Sequence, residues 1–186
     1  MTNAKTNNVK NIIFIGGVHG VGKGHICQII KSNVNIIHLT ASDILKWKDI
    51  SAIKNKLVEA INETQDLLIL NLKKIAGKEK DYLLDGHYCL LNQNGEGEKI
   101  PFKTFEDLNL SKLIIVFEDA KTIKQRLEIR DSKEYDLEQI THFQNMEVNY
   151  AYEISQKLNL PLLEIRSSNY NQETLINFID ENTIRH

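Results

Sequence analysis

A glycine-rich segment near the amino terminus carries the residue types and the spacing that bind phosphate groups. It runs from Gly16 to His25 and reads GGVHGVGKGH, so that Gly17, Gly22 and Lys23 satisfy the pattern G-x-x-x-x-G-K. Glycines in such a turn let backbone N–H groups point inward around phosphate oxygens, and the lysine adds a point charge for the β- and γ-phosphates. A phosphate-binding loop is therefore predicted, and the competing interpretation is a glycine-rich turn with a surface lysine.

The same segment departs from the usual pattern at the residue after the lysine. Gly24 and then His25 follow Lys23, where a Ser or Thr hydroxyl would ordinarily meet Mg²⁺. A bound Mg²⁺ must then rely on nucleotide phosphates, water and an acidic residue elsewhere in the chain. Asp85 ends the apolar run Tyr82–Leu84 and is the predicted metal-binding carboxylate, unless it only caps the turn into Gly86.

Short β-branched runs alternate with segments of helical spacing along the chain. Such alternation predicts an α/β fold with a parallel sheet covered by helices on both faces. Ligands bind at the carboxyl ends of the strands in sheets of this kind, which is where the glycine-rich turn and Asp85 fall. The segment Leu90–Thr104 is predicted to be the one sizeable loop, and a long helix is predicted from about 51 to 76. The predicted strands are Asn11–Ile15, Asn35–Leu39, Tyr82–Leu84, Lys112–Phe117 and Pro161–Ile165.

Composition narrows the class of protein without saying anything about its chemistry. The 186 residues suit one domain, here 1–186, and 23 basic against 25 acidic residues leave a net charge of -2. This balance gives no strong signal for binding nucleic acid or an anionic membrane. Residues 1–10 are polar and predicted to be flexible, no apolar run predicts a membrane span, and two cysteines without zinc spacing favour a reducing, cytoplasmic location.

Several motifs further narrow the class to a small kinase. The best candidate for the base-reading motif of GTPases, Asn55-Lys56-Leu57-Val58, lacks the required aspartate. The glycine-rich segment instead resembles the adenylate kinases, whose loop reads G-K-G-T-Q, and Thr40–Lys46 is similar to their S-T-G-D-L-L-R segment. The closest resemblance is to the short archaeal-type members. Its further signs are Asp85-Gly86-His87, Phe117–Ala120, Arg126–Asp131, Asp136–Glu138, His142–Glu147 and Ala151-Tyr152.

The resemblance implies a fold, a reaction and a set of site residues. The fold would be the three-layer P-loop NTPase fold, with a five-stranded parallel sheet and a short lid at about 130–137. The reaction would be transfer of the γ-phosphoryl group of ATP, with Mg²⁺, to a nucleoside monophosphate, AMP first. The implied ATP-binding residues are Gly17, Val18, His19, Gly20, Val21, Gly22, Lys23, Gly24 and His25. The implied acceptor-binding residues are Thr40, Ser42, Asp43, Lys46 and His87, and the catalytic ones are Lys23, Arg126 and Arg130.

Some alternatives stay open at this point. Arg126 and Arg130 lie four residues apart and could converge on a transferring phosphoryl group, or could form a solvated face paired with Glu128 and Asp131. Lys46 stands where the family has an arginine and cannot hold a phosphate through two parallel hydrogen bonds. The chain could therefore act on another small acceptor, or be an ATPase that serves as a regulatory or assembly factor. Archaeal-type relatives are often trimeric, so the resemblance includes a homo-oligomer among the options.

Overall fold

The computed structural model describes residues 11–45, 61–76, 80–92 and 95–180. Three of the predictions lie partly or wholly outside these ranges: the flexible segment 1–10, Lys46, and the first part of the helix predicted from about 51 to 76. None of the described helices is long and apolar enough to cross a membrane.

In chain order the elements are β1 (Ile12–Gly16), α1 (Lys23–Asn33), β2 (Ile37–Thr40), α2 (Ala41–Leu45), α3 (Ile61–Ile75), β3 (Tyr82–Asp85), β4 (Cys89–Leu91), β5 (Gly97–Lys99), α4 (Phe102–Asp107), β6 (Lys112–Phe117), α5 (Ala120–Asp131), α6 (Leu137–Leu158), β7 (Leu162–Arg166) and α7 (Gln172–Ile179).

Five of the strands form one parallel sheet, in the order β2-β3-β1-β6-β7. The predicted α/β fold is therefore confirmed, and each of the five predicted strands begins and ends within two residues of an observed one. The connection after β1 leads to β2 at one edge of the sheet, whereas the connection after β6 leads to β7 at the other edge. Two neighbouring strands whose connections run in opposite directions leave a crevice between them, and ligands bind there in such sheets. The turn after β1 lies at this position.

Alternation along β1 explains why helices cover both faces of the sheet. All five residues of this strand are buried. Ile12 and Phe14 belong to the core on the face covered by α3, α4 and α6, whereas Ile13 and Ile15 belong to the core beneath α1, α5 and α7. A central parallel strand has apolar residues on both faces for this reason. The result is the three-layer arrangement that the sequence predicts.

The segment Leu90–Thr104 was predicted as a loop and is corrected by the structure. It contains the antiparallel hairpin of β4 and β5 and the first residues of α4. The turn of the hairpin is held by Asn92, whose side-chain oxygen accepts from the backbone N–H of Glu96 at 3.0 Å. Strands of only three residues show too little alternation of apolar and polar residues to be recognised from sequence, and here they lie among polar turn residues.

The predicted lid corresponds to the connection between α5 and α6. The helix α5 ends at Asp131, and α6 begins after Asp136, whose carboxylate accepts from the backbone N–H of Gln139 at 2.7 Å. Between the two helices lie Ser132 to Asp136, a short stretch next to the carboxyl edge of the sheet. Tyr135 in this stretch donates its hydroxyl proton to Asp131, which ties the connection to the end of α5.

Candidate active site

The glycine-rich turn has the backbone conformation that a phosphate-binding loop requires. Gly17, Gly20 and Gly22 all have positive φ, at 144°, 78° and 107°. A Cβ atom at Gly17 would lie 2.4 Å from the carbonyl oxygen of Val116 at the end of β6, so this position accepts only glycine. Gly22 is the residue before the first turn of α1, and that turn contains no acidic side chain. The backbone N–H groups of this first turn and the positive end of the helix dipole therefore suit a bound anion.

A cavity of about 520 Å³ opens beside this loop at the carboxyl edge of the sheet. Its volume lies within the range typical of small-molecule sites. Three separate segments contribute polar lining: the glycine-rich loop, the junction of β2 and α2, and the turn after β3. The predicted site residues in the lining are Val18, His19, Gly20, Gly22, Lys23, Gly24, Thr40, Ser42, Asp85 and His87. The predicted site residues outside the lining, among those described, are Gly17, Val21, His25, Asp43, Arg126 and Arg130.

Lys23 is the principal cation of this cavity. It is 9% exposed, and its ammonium donates to the carbonyl oxygen of Gly17 at 2.5 Å. Burial lowers the pKa of Lys23, while the nearby carboxylates of Asp85 and Glu147 act in the opposite direction. A buried ammonium with few competing water molecules interacts strongly with an anion that enters the site. The lysine is therefore placed where phosphate binding requires a cation.

Asp85 reaches the same cavity from the end of β3. Its carboxylate is 17% exposed, and β3 lies directly beside β1 in the sheet with Asp85 opposite Ile15. A single carboxylate next to a phosphate site suits Mg²⁺, which keeps several water molecules and takes its other oxygens from phosphates. Gly24 has no side-chain hydroxyl, so the side-chain oxygens of Asp85, Thr40 and Ser42, which also line the cavity, are candidates to take its place. These residues fit Mg²⁺ held largely by a nucleotide.

The junction of β2 and α2 presents two hydroxyl groups to the cavity. The hydroxyls of Thr40 and Ser42 lie 3.1 Å apart, and Thr40 Oγ1 also accepts from the backbone N–H of Asp43 at 3.1 Å. Thr40 thus caps α2, and Asp43 lies on the exposed side of the helix start. Thr40 and Ser42 line the same cavity as the glycine-rich loop, and Lys46 lies outside the described residues.

His87 is held in the cavity by a buried carboxylate that the sequence analysis did not single out. Its Nδ1 lies 3.1 Å from Oε1 of Glu147, which is fully buried on α6. The other oxygen of Glu147 accepts from the backbone N–H of Tyr88 at 2.8 Å. With Nδ1 facing Glu147, Nε2 is the ring nitrogen that can meet a ligand. The ring also packs against His19 of the glycine-rich loop, with 4.5 Å between centroids.

Arg126 contacts the glycine-rich loop from outside the cavity. Its guanidinium donates to the carbonyl oxygens of Gly20 and Val21 at 3.3 and 3.0 Å, and to Ser167 Oγ at 3.2 Å. These contacts join α5, the loop and the end of β7. In this structure Arg126 therefore supports the backbone of the phosphate-binding loop.

Arg130 has different partners, so the structure does not bring the two guanidinium groups together on one point. Its side chain is 56% exposed and forms a two-pronged ion pair with Asp131, with N to O distances of 2.6 and 2.7 Å. It borders a second, largely apolar cavity of about 230 Å³ that also contains Val18, His19 and Tyr135. Arg130 thus lies next to the loop, at the start of the predicted lid. Its pairing with Asp131 is the contact expected if the two arginines form a solvated face.

Glu118 is a second buried carboxylate that sequence reasoning missed. It lies at the end of β6, is 3% exposed, and accepts from Ser168 N–H at 2.7 Å, Ser167 Oγ at 2.9 Å and Arg166 Nε at 3.1 Å. Burial acts to raise the pKa of Glu118, but these bonds and one from the Asp119 N–H outweigh it and lower the pKa to about 2. Glu118 therefore joins the ends of β6 and β7 beside Arg126.

A signal for Glu147 was present in the sequence, whereas one for Glu118 was not. Glu147 falls among Ile140, Phe143, Tyr150 and Ile154, which share the apolar face of α6. A charged residue on such a face is rarely buried without a partner, so it marks a polar site. Glu118 follows an apolar strand and resembles an ordinary turn residue. The packing of β7 brings the donors from Arg166, Ser167 and Ser168, and the neighbouring Asp119 N–H adds a local one.

The fold, the left-handed glycines of the loop and the buried lysine define a P-loop nucleotide-binding protein of the α/β class. The family described as an AAA domain matches residues 16–144, which is more than half of the chain. The chain therefore belongs to this AAA-domain family. The match begins at the last residue of β1 and contains the glycine-rich loop, Asp85 and both arginines.

Individual relatives add to this assignment. Over 87 residues the chain is 36% identical to UMP-CMP kinase 2 of Caenorhabditis elegans, a match that covers 41% of this chain and 45% of that protein. The match thus spans less than half the length of this curated relative. Two solved structures are similar in fold: a kinase candidate from Chloroflexus aurantiacus, with TM-score 0.54, 9% identity and coverage of 92% and 97%, and TT1252 from Thermus thermophilus, with TM-score 0.52, 14% identity and coverage of 96% and 100%.

Proposed function

We propose that the protein transfers the γ-phosphoryl group of ATP to a nucleoside monophosphate. One observation carries the proposal: a single cavity joins the glycine-rich loop and Lys23 to a second polar surface formed by Thr40, Ser42 and His87. A protein that only binds or hydrolyses ATP needs the first surface alone. Two polar surfaces facing each other across one cavity suit a donor and an acceptor that must be held together for reaction.

The donor half of the site is the glycine-rich loop. Its backbone N–H groups and the first turn of α1 would surround the β- and γ-phosphates, with the Lys23 ammonium beside them. Arg126 would act from outside the cavity by holding two loop carbonyls, which keeps the N–H groups on the opposite side turned towards the phosphates. Arg130, released from Asp131, would reach the same phosphates when the Ser132–Asp136 connection closes over the loop.

The acceptor half is formed by the β2–α2 junction and the turn after β3. The hydroxyls of Thr40 and Ser42 can donate to the acceptor phosphate, and His87 presents Nε2 from a ring position set by Glu147. Apolar residues on the same wall, Leu68, Phe105 and Leu108, form a surface against which a base can pack. Asp43, which is exposed at the start of α2, would complete this half. Lys46 lies beyond the described residues and stays a predicted acceptor-binding residue.

Phosphoryl transfer in this arrangement needs no covalent enzyme intermediate. An oxygen of the acceptor phosphate attacks the γ-phosphorus, the bond from that phosphorus to the β,γ-bridging oxygen breaks, and ADP leaves. The Lys23 ammonium and the loop N–H groups stabilise the charge that spreads over the transferring group. When bound, Mg²⁺ would lie near Asp85 and neutralise charge on the β- and γ-phosphates.

AMP is the first acceptor to test, because the resemblance of the Thr40–Lys46 segment is to the adenylate kinases. The match to UMP-CMP kinase 2 makes UMP and CMP the second. A coupled assay of ADP formation across AMP, UMP, CMP and GMP, with the new diphosphate identified by chromatography, separates them. We expect one monophosphate to give the highest kcat/KM and to yield its own diphosphate.

Lys23→Met is the matched control for this assay. The methionine side chain has a similar length without the charge, so the fold is retained while activity falls by about 100-fold or more. ATP consumption that no monophosphate accelerates, and that yields no second diphosphate, would overturn the kinase proposal. Thermal melting gives an independent measure: ATP should raise Tm, and the true acceptor should raise it further.

A second candidate function is ATP hydrolysis in a regulatory or assembly role. The observation that favours it is the lining of the main cavity, where, among the described residues, Lys23 is joined by histidines but by no arginine. A cavity with so few fixed cations would stabilise a transferred phosphoryl group less than a typical kinase site. The same assay decides, because this function predicts ADP and inorganic phosphate in equal amounts whatever monophosphate is present.

A further inference from the structure

A group of three metal-binding side chains lies beneath the glycine-rich loop, between the sheet and α1. Cys27 comes from α1, His38 from β2 and Asp85 from the end of β3, and their ligand atoms all lie within 4.8 Å of one another. The Sγ of Cys27 is 3.9 Å from Asp85 Oδ2, and His38 Nε2 is 3.8 Å from the same oxygen. Three separate elements therefore direct a sulfur, a nitrogen and an oxygen to one point.

The histidine nitrogen in this group has no hydrogen-bond partner. His38 Nε2 is buried. Among the described residues, it is the one buried side-chain nitrogen or oxygen atom that has no hydrogen-bond partner. Leaving such an atom unsatisfied is energetically costly, so buried polar atoms almost always have hydrogen-bond partners. Its distance of 3.8 Å to the Asp85 carboxylate is too long for a hydrogen bond.

The spacing of the three atoms suits a cation placed between them. Zinc bonds of about 2.0 to 2.3 Å at tetrahedral angles separate a nitrogen and an oxygen ligand by about 3.4 Å, and a sulfur and an oxygen ligand by about 3.6 Å. The observed 3.8 and 3.9 Å exceed these separations by only a few tenths of an ångström, which small side-chain rotations can close. The donor types match as well, because thiolate and imidazole favour Zn²⁺ over Mg²⁺.

We propose that Cys27, His38 and Asp85 bind a Zn²⁺ ion, with a fourth coordination position open towards the main cavity. The thiol proton of Cys27 leaves to solvent as the zinc–sulfur bond forms, so that one thiolate and one carboxylate balance the two positive charges. Asp85 is the member of the group that also lines the cavity, so the open position faces the nucleotide site. Lys23 interacts electrostatically with both Asp85 and Cys27, so its positive charge weakens the site. The buried carboxylate of Glu147 also interacts with Lys23 and offsets part of that charge.

The zinc site would share Asp85 with the proposed magnesium position, and this consequence rests on the proposed function. A carboxylate bound to zinc is withdrawn from Mg·ATP, so zinc should act as an inhibitor that competes with the metal–nucleotide complex. The site would make phosphoryl transfer sensitive to free zinc. Binding itself does not depend on the kinase proposal and is tested without nucleotide.

Cobalt titration of the full-length, untagged, reduced protein provides the test, since Co²⁺ replaces Zn²⁺ and reports its ligands by absorption. We expect visible bands of a four-coordinate ion together with a near-ultraviolet thiolate-to-cobalt band, all removed by one equivalent of Zn²⁺. Cys27→Ser should abolish the thiolate band, and His38→Gln should weaken cobalt binding by about tenfold or more. Circular dichroism and Tm confirm that each variant is folded.

Cys89→Ser is the matched control, because Cys89 is the other buried cysteine and lies on the opposite face of the sheet. It should keep the full spectrum. Absence of a thiolate band from the wild-type protein, or its survival in Cys27→Ser, would overturn the proposal. These results are independent of the kinase assay: a cobalt spectrum without monophosphate phosphorylation leaves the zinc site standing, and phosphorylation without a spectrum removes the zinc site alone.

Discussion

The ring nitrogen Nδ1 of His87 lies 3.1 Å from a carboxylate oxygen of Glu147, a residue 60 positions further along the chain. The same carboxylate accepts from the backbone N–H of Tyr88, so it holds both the imidazole and the turn that follows β3. A fully buried acid on α6 thereby orients the histidine that lines the main cavity. The long helix is thus part of the site even though its side chains are not in the lining of the main cavity.

Glu147→Gln should impair the acceptor side of the reaction while leaving the fold in place. Glutamine keeps one carbonyl oxygen for the Tyr88 N–H but loses the negative charge that faces His87. We expect KM for the monophosphate to rise and kcat to fall by about tenfold, with KM for ATP little changed. Steady-state kinetics on both substrates measure this.

A double-mutant cycle with His87→Asn shows whether the two residues act together. If Glu147 acts through His87, the second substitution should add little to the first, because coupled residues are not additive. Losses that multiply in full would show that Glu147 works on something else. Tm of each variant provides the folding control.

Gly24→Ser tests the missing hydroxyl of the phosphate-binding loop. A Cβ atom at Gly24 has no heavy atom within 4 Å, so a side chain fits there without crowding. We expect tighter Mg·ATP binding, measured as a lower KM for the complex, because the added hydroxyl supplies an oxygen ligand next to Lys23.

Gly24→Ala separates the hydroxyl from the effect of losing a glycine. Both variants should stabilise the protein by about 0.5 kcal/mol in urea unfolding, since glycine is unfavourable in a helix. Only the serine should change the magnesium dependence. Equal kinetics for the two variants would show that the hydroxyl has no role.

Glu118 should make the protein sensitive to acid. Its pKa is about 2 in the folded protein, below the ordinary value of 4.5, so the unfolded chain binds more protons between these values. The stabilisation is fully present above about pH 4.5 and is lost as the pH falls towards 2. Glu118→Gln should lower the free energy of unfolding at pH 7 by about 1 to 3 kcal/mol and flatten its pH dependence below 4.5. The exposed Glu134→Gln should change neither.

His19 should stay neutral well below the ordinary pH range of histidine. Desolvation of the partly covered ring, followed by the charges of His87, Lys23 and Arg130, lowers the pKa of His19 to about 4, although the residue as a whole is exposed. NMR titration of the imidazole should show this midpoint, and bound ATP should raise it because the phosphates are anionic. A midpoint near 6.5 in the free protein would contradict the geometry of the loop.

The same pKa shift of His19 predicts a change in stability. The unfolded chain binds the proton more readily between pH 6.5 and about 4, so the free energy of unfolding should decrease as the pH falls through this window. His19→Gln should remove this part of the pH dependence. His142→Gln, at an exposed position on α6, is the control and should leave it unchanged.

Strong local patterns made the sheet and the loop predictable. The five short, mostly apolar runs were predicted to be strands of a parallel sheet, and each of them forms one. The glycine-rich loop was predictable because its spacing reflects backbone geometry, seen here as positive φ at Gly17, Gly20 and Gly22. The hairpin between Cys89 and Lys99 was not predictable, because its strands are only three residues long and because Gly97 packs against Met146 on α6, which is distant in sequence.

The contacts between side chains far apart in the chain could not be predicted from the sequence, for a different reason. Two arginines four apart on a helix were expected to share a target, yet Arg126 contacts the loop backbone and Arg130 pairs with Asp131. Helical spacing determines which face of the helix carries a side chain, whereas the atoms that this side chain contacts depend on the neighbouring helices, strands and loops. The position of Lys46 lies outside the described residues, and its role stays a prediction.

By itself, the sequence determined that this chain forms an α/β sheet with a phosphate-binding turn after its first strand, because both depend on local spacing and backbone sterics. Only the tertiary structure decided which charges share a site. It placed Glu147 behind His87, Glu118 among the donors of β7, and Cys27 and His38 beside Asp85. These residues lie far apart in the chain, and a buried charge or donor obtains its partner only when separate helices and strands pack together.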